Sequence, residues 1–378
     1  MTSPQEPRSL ARARALRPGD RLAVLCVSGP VDPGPLAAGL DALRCAGLDP
    51  ITYPSLTDPG TMRPYLAGDD AMRAGDLRAA LTDPGLAGIL FARGGYGAQR
   101  TLEAMDWDGL DPGGPGTPGA CLPPKVLAGF SDVTAVLEAV AVRLGWASLF
   151  SPMVAHFGGS GAGKSGRSGA GLRDGAADYS LASLLRTLMR PAEATEIRYP
   201  RAVTVVPGTA RGITVGGTLS LLVSSLGTGT SRPARGGILL LEDVGEEPYR
   251  IDRMLTQLRR SGYLDGVKGI VAGTFQGCGP PDLIHDILAE RLGALAVPML
   301  AWADVGHGGP FQTSRSASPP NSTPAGPACA CSTPHSASRA QLVPAEGTED
   351  TEDSEDRPAA RARWDSPACM RRGHSGPS

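Results

Sequence analysis

The sequence predicts an α/β protein in which a mainly parallel sheet comes first and a smaller, β-rich domain follows. Three observations carry this. Apolar runs alternate with helical stretches from Asp20 to Gly145, and repeated strand–helix units imply a parallel sheet covered on both faces. A Gly/Ser-rich stretch at 158–171 breaks that rhythm, and shorter β-rich pieces follow it. From residue 311 onward only Phe311, Leu342 and Val343 come from the Leu, Ile, Val and Phe set. Such a segment buries too little apolar area to offset the entropy of ordering it, so it is expected to be a disordered tail.

Each element has its own signal. RLAVLCVSG (21–29) is an apolar run ending in Ser-Gly-Pro. LAAGLDALRCAG (36–47) carries helical spacing at Leu36, Leu40 and Leu43, with Gly47 as a stop. RAGDLRAALTD (73–83) reads as a helix, LAGILFA (86–92) as a buried strand and QRTLEAMDW (99–107) as a helix. KVLAGF (125–130) is a strand; the helix after it, 131–145, places Val133, Val136, Leu137, Val140 and Leu144 on one face. DPGGPGTPGA (111–120) is a Gly/Pro loop. In the second half, β-rich pieces fall near 196–206 and 211–215, and LSLLVSSLG (219–227) has helical character. GGILLLED (236–243) and GIVAGTF (269–275) are strands, and 249–262 and 282–295 are helices. VPMLAWADVGHG (297–308) reads as a strand running into a loop.

Composition narrows the function. Lys+Arg 36 against Asp+Glu 38 gives a net charge of −2, without the basic excess of a nucleic-acid binder. No apolar run approaches the roughly 18–20 residues that span a bilayer, so no membrane partner is expected. The N-terminus lacks an apolar signal core, and the seven cysteines are odd in number with no framework spacing. A cytoplasmic protein without disulfide scaffold or zinc site is the resulting expectation.

Five motifs bear on chemistry. Gly158 to Ser165 fits the phosphate-loop pattern G-x-x-x-x-G-K-[ST], but a helix should follow and GRSGAGLRDG does not supply one. A Gly/Ser/Ala/Lys stretch meets this pattern by composition, so nucleotide binding at Lys164 is the minor reading. RGGYGAQR (93–100) follows a strand and precedes a helix; its glycines either admit a ligand to the backbone or form a tight turn. GFSDVT (129–134) puts Ser131 at a strand-to-helix junction. There it is either a helix cap or a nucleophile whose next amide, Asp132, faces an oxyanion. Glu242 and Asp243 end an apolar strand, where a carboxylate either orients a histidine or belongs to a solvated loop. Of five histidines, His307 lies in the glycine-lined DVGHGG loop, with the freest surroundings.

Together and in this order, the motifs resemble the LD-carboxypeptidases, the muramoyltetrapeptide carboxypeptidase family of serine peptidases, whose relatives include the microcin C self-immunity hydrolases. The carrying segments are RPGDRLAVLCVSGP (17–30), YLAGDDAMRAGDL (65–77), ILFARGGYGAQRTLEAMDW (89–107), KVLAGFSDVT (125–134), GGILLLEDVGEEPYRIDRMLTQLRRSGYL (236–264) and DVGHG (304–308). The resemblance implies a Rossmann-like nucleophile domain over 1–157, a Gly/Ser-rich insertion and linker over 158–195, and a C-terminal domain over 196–310. It implies Ser131 as nucleophile, His307 as base and Glu242 as the third member, with backbone amides of Asp132 and of Gly94 or Gly95 as oxyanion hole. It implies no metal and no cofactor. The implied substrate is a murein tetrapeptide losing its terminal D-Ala in cytoplasmic recycling, or alternatively a peptide-nucleotide antibiotic; a homodimer is compatible with it.

Two departures stand out. Thr218 in GGTLSLL occupies a position where the family usually has Asn. After residue 313 the family's closing segment gives way to Ser/Pro/Ala/Arg/Cys/His-biased sequence, as a wrong frame of a GC-rich gene would read. A frame disruption is the expectation. It would leave the His307 loop anchored on one side only and the chain a weak catalyst.

Overall fold

The computed structural model describes residues 10–57, 63–107, 110, 122–157, 176–194, 197–309 and 311–315. The first half runs β1 (Arg21–Leu25), α1 (Pro33–Cys45), β2 (Asp49–Thr52), α2 (Asp70–Thr82), β3 (Gly88–Phe91), α3 (Ala98–Ala104), β4 (Val126–Gly129), α4 (Thr134–Arg143) and β5 (Leu149–Phe150). The second half contains α5 (Ala176–Met189), β6 (Val203–Val206), β7 (Ile213–Thr218), α6 (Leu219–Ser224), β8 (Gly237–Val244), α7 (Pro248–Arg260), β9 (Gly269–Gln276), α8 (Pro281–Gly293), β10 (Met299–Ala301) and β11 (Ser314–Arg315).

Two sheets result. The first has the order β11-β5-β4-β3-β1-β2, parallel throughout except for β11, which runs antiparallel to β5. Every residue of β3 and β4 is buried, as helix-covered parallel strands must be. The second sheet has the order β6-β10-β9-β8-β7, parallel except for β6. The predicted α/β class with two sheets is therefore what the chain adopts. The helices read at 249–262 and 282–295 form as α7 and α8 and cover one face of the second sheet with Ile251, Leu255, Leu258, Ile284 and Leu288. The other face meets the first half, where Ile238, Leu240, Val271 and Val305 join Phe130, Phe150 and Phe311 in one apolar cluster.

Two stretches differ from their sequence reading. Within 158–195, read as insertion and linker, residues 176–189 form α5. Leu184 and Leu188 on it are buried against Leu16, Leu22 and Leu40 of the first half. The leucines at 181, 184, 185 and 188 keep helical spacing that the surrounding glycine-rich composition masked. The expected disorder from residue 311 is corrected over its first five residues. Phe311 is 1 % exposed, Gln312, Thr313 and Ser314 are buried, and Ser314 and Arg315 pair with β5. The His307 loop is thus held on both sides. The reason is local: Phe311 finds an aromatic pocket, and the backbone after it finds hydroxyls on α5. The Gly/Pro loop at 111–120, the Lys164 motif and the expectations for 316–378 lie outside the described residues.

Candidate active site

The site forms where the C-terminal ends of β4 and β8 face the loop after β10. β4 ends at Gly129, and the chain turns sharply through Ser131 into a 3-10 turn at Ser131–Val133 that leads into α4. Ser131 takes φ 61°, a left-handed conformation that disfavours any side chain. Such a residue typically carries on the order of 1–3 kcal/mol of strain, and here the turn holds it. The turn leaves the hydroxyl within reach of both Gly94 and His307. Gly94 lies directly behind it, where a Cβ would stand 2.9 Å from Ser131 Cβ and 3.0 Å from Oγ. Only glycine admits the hydroxyl there.

His307 reaches the same point from the second half. Its Nε2 lies 3.2 Å from Ser131 Oγ, and its Nδ1 lies 2.7 Å from Glu242 Oε2. With the ring proton on Nδ1 donated to Glu242, Nε2 is left to accept the Ser131 hydroxyl. The His307 backbone N–H also donates to Glu242 Oε2, at 3.1 Å. Gly306 makes this approach feasible: at φ 109°, a Cβ would fall 2.5 Å from the same carboxylate oxygen. Thr274 on β9 pins the loop by donating its hydroxyl to the His307 carbonyl at 2.5 Å.

Glu242 is fully buried near the end of β8. Both its oxygens are engaged, Oε2 by His307 and Oε1 by the Thr218 hydroxyl at 2.5 Å. Burial lowers the affinity of His307 for its proton, but the charge and hydrogen bond of Glu242, with Asp243 beyond, outweigh it and raise the imidazole above its ordinary 6.5. Asp243 is pushed up to about 6, chiefly by burial and then by the adjacent Glu242. Its carboxylate accepts from the Ser220 amide at 2.7 Å, capping the first turn of α6.

Phe130 walls the His307 ring at 4.8 Å between centroids and packs at 4.9 Å on Phe311. His156 stands on another side of Phe130 at 5.3 Å. It is depressed to about 4, first by burial and then by the like charges of His307 and Arg93. The Asp132 carboxylate accepts the Ala98 amide at 2.8 Å, tying the turn to the start of α3. Burial raises that carboxyl above its usual range, against hydrogen bonds from Ala98 and Gly97. The Asp132 N–H belongs to a first turn, where amides have no acceptor within the helix.

Ser131, Glu242, His307, Gly94 and Asp132 therefore meet at one place, with Gly95 beside them. Thr218, Gly306, Thr274 and Phe130 complete the surroundings. Sequence reading noted Thr218 only as a departure, although its position 24 residues before Glu242, on the paired strand, brings the two side by side. Among the described residues no group of three or more His, Cys, Asp or Glu side chains is placed to hold a metal ion, and no helix is long and apolar enough to cross a membrane.

A serine, a histidine and a buried carboxylate in one hydrogen-bonded line, on a strained strand-to-helix turn between two α/β sheets, make the layout of a serine-type hydrolase. The chain belongs to the LD-carboxypeptidase family. Residues 22–151 match the LD-carboxypeptidase N-terminal domain, and residues 211–314 match the LD-carboxypeptidase C-terminal domain. A Streptomyces coelicolor protein bearing a provisional carboxypeptidase name is 46 % identical over 301 residues, covering 79 % of this chain and 89 % of that one. The murein tetrapeptide carboxypeptidase of Pseudomonas aeruginosa is 32 % identical over 252 residues, covering 65 % and 75 %. In fold, the chain is similar to an MccF-like protein from Bacillus anthracis, at TM-score 0.66 and 22 % identity over 82 % of this chain and 96 % of that one.

Proposed function

We propose that this protein is a serine LD-carboxypeptidase that removes the terminal D-Ala from murein tetrapeptides in the cytoplasm. The Ser131–His307–Glu242 line carries the reading. His307 Nε2 takes the Ser131 proton as Oγ attacks the carbonyl carbon of the L-to-D peptide bond. Glu242 holds the Nδ1–H tautomer and stabilises the imidazolium that forms. The oxyanion is met by the Asp132 amide and an amide of the Gly94–Gly95 pair. When the tetrahedral adduct collapses, the C–N bond breaks and His307 returns its proton to the departing D-Ala amine. Water, deprotonated by His307, then attacks the acyl-serine and releases the tripeptide with Ser131 restored. The chemistry calls on this chain's own residues throughout.

Family membership supports a carboxypeptidase, and the Pseudomonas relative's name supports a murein peptide as substrate. The test incubates the purified protein with a murein tetrapeptide and, separately, with an aminoacyl sulfamoyl adenylate, and follows both by mass spectrometry. Loss of one alanine from the tetrapeptide, abolished in Ser131→Ala, is expected. Cleavage of the adenylate alone would transfer the site to antibiotic detoxification, and cleavage of neither would end the hydrolase reading.

A further inference from the structure

An enzyme that removes one terminal residue must tell a chain end from a peptide bond in mid-chain, and at a carboxyl end the difference is one negative charge. In the hydrolysis proposed above, on which this inference rests, that charge lies one residue beyond the scissile carbonyl, at most about 3.6 Å further along the chain. A group that reads it belongs to the segments packed around Ser131. Among the described residues these are the GFSDVT turn, the RGGYG loop, the His307 loop and the Val154–His156 turn with Met153. They hold three basic side chains: Arg93, His156 and His307. His307 is the base, and His156 stays neutral down to about pH 4. Arg93 is left as the permanent positive charge.

The contacts around Arg93 tie it to the nucleophile. It directly precedes Gly94, whose Cβ position is 3.0 Å from Ser131 Oγ. The Gly29 N–H donates to the Gly94 carbonyl at 3.1 Å, and a Cβ at Gly29 would stand 3.6 Å from Arg93 Nη1. Gly29 thus touches both the glycine behind the serine and the guanidinium. Arg93 Nη1 donates to the Pro30 carbonyl at 2.6 Å, which holds the side chain against the loop after β1. Its charge reaches His156, which packs on Phe130, the wall of His307. What Arg93 lacks is a carboxylate. Arg73 and Arg100 are committed to Asp70, Arg201 to Asp304 and Arg232 to Glu138. Among the described residues no Asp or Glu pairs with Arg93, and its side chain is only partly buried. A guanidinium with one neutral acceptor keeps N–H groups for an incoming carboxylate, which it meets with two parallel hydrogen bonds.

We propose that Arg93 binds the terminal carboxylate of the leaving residue and so confines cleavage to chain ends. The experiment compares kcat/KM for the tetrapeptide as its free acid, which releases alanine, and as its C-terminal amide, which releases alaninamide. The acid should be favoured on the order of 30-fold, mainly through KM. That ratio should fall toward one in Arg93→Gln. Arg93→Lys, which keeps the charge without the planar fork, should retain part of it. A merely structural role would slow both substrates alike and leave the ratio standing. That result overturns the proposal, as does a wild-type ratio near one, and either leaves the carboxypeptidase reading in place. A third peptide, amidated at its internal carboxyl groups but free at its end, should be as sensitive to Arg93→Gln as the free acid. If it is insensitive, Arg93 reads an internal carboxylate and the assignment to the chain end fails. Should Arg93→Gln not fold, Arg93→Lys decides: a reduced ratio supports the proposal and an unchanged one overturns it. Cleavage of none of the peptides overturns both readings.

Discussion

Thr218 Oγ1 donates a 2.5 Å hydrogen bond to Glu242 Oε1, the carboxylate oxygen that His307 leaves unused. The pair is buried, so water does not replace the donor if it is removed. A buried acceptor left unpaired costs about 1–3 kcal/mol, and that charge would redistribute toward Oε2 and the imidazole. Thr218 is thus a positioning residue for the line of groups that reaches Ser131.

Thr218→Val keeps the shape and deletes the donor. It should lower kcat by roughly tenfold with little change in KM, and Thr218→Ser should recover most of the loss. The acid limb of kcat/KM should move to higher pH, since Glu242 then leans more on His307. A valine variant with wild-type kcat and pH profile would show that the hydroxyl only fills space.

The raised imidazole sets a pH dependence with a definite sign. The free enzyme's base must be neutral to act, so kcat/KM should climb with an apparent pKa above the ordinary 6.5 of histidine. Asp243 contributes to that elevation through its negative charge. Asp243→Asn keeps an oxygen to accept the Ser220 amide but removes the charge, so the limb should move to lower pH, by less than about one unit. The pH–rate profile of the variant decides this; a limb that moves upward contradicts the assignment of His307 as the base.

His156 predicts a stability effect instead. The folded chain takes up its proton only near pH 4, whereas an unfolded histidine does so near 6.5. Below about 6.5 the unfolded state therefore binds the extra proton first, and the stability this group supplies above that pH is lost as the pH falls toward 4. Asp243, pushed up to about 6, works in the opposite sense over the same range, so the comparison must be made by variant. His156→Gln should lose less melting temperature between pH 7 and pH 5 than the wild type. Thermal scans at the two pH values test it, and parallel losses would show that His156 is freely protonated in the folded protein.

The parts of the molecule that were legible in the sequence are those in which local pattern and tertiary role agree. The runs at 21–29, 86–92 and 236–243 are apolar because the strands they form are covered on both faces. Ser131, Glu242 and His307 stood out because each ends an apolar run, where side chains of a parallel sheet emerge. β2 escaped because Asp49 and Pro50 are poor strand residues, tolerated where a short strand pairs on one side with β1 at the sheet's edge. β5 and β11 are two residues each, below any period. The Thr218–Glu242 bond was illegible for another reason: it depends on the register of β7 against β8, which only the folded sheet fixes.

Phe311 shows how the segment beyond the His307 loop supports the site. Its ring packs on Phe130 at 4.9 Å and on Phe150 at 5.7 Å, and Phe130 in turn walls His307. The backbone around it is tied down: Phe311 N–H donates to Ser180 Oγ at 2.9 Å, Gln312 N–H to the Asp304 carbonyl at 2.8 Å, and Thr313 N–H to Ser183 Oγ at 3.1 Å. Phe311→Ala should cost about 3–5 kcal/mol, the usual range for emptying a buried aromatic site. At roughly 2–4 °C per kcal/mol, the melting temperature should fall on the order of 10 °C. Activity should fall as well, because displacing His307 by about 1 Å can cost ~100-fold in rate. Two truncations separate this anchor from the sequence after it. A chain ending at Arg315 keeps Phe311 and β11, and it should retain both melting temperature and kcat, since residues 316–378 contain only Leu342 and Val343 from the Leu, Ile, Val and Phe set. A chain ending at Gly309 loses the aromatic contacts, the α5 hydrogen bonds and the pairing on β5 together, and should melt lower and turn over more slowly. If the shorter chain matches the longer one in both measurements, Phe311 does not anchor the loop and the position of His307 is set by Thr274 and Glu242 alone.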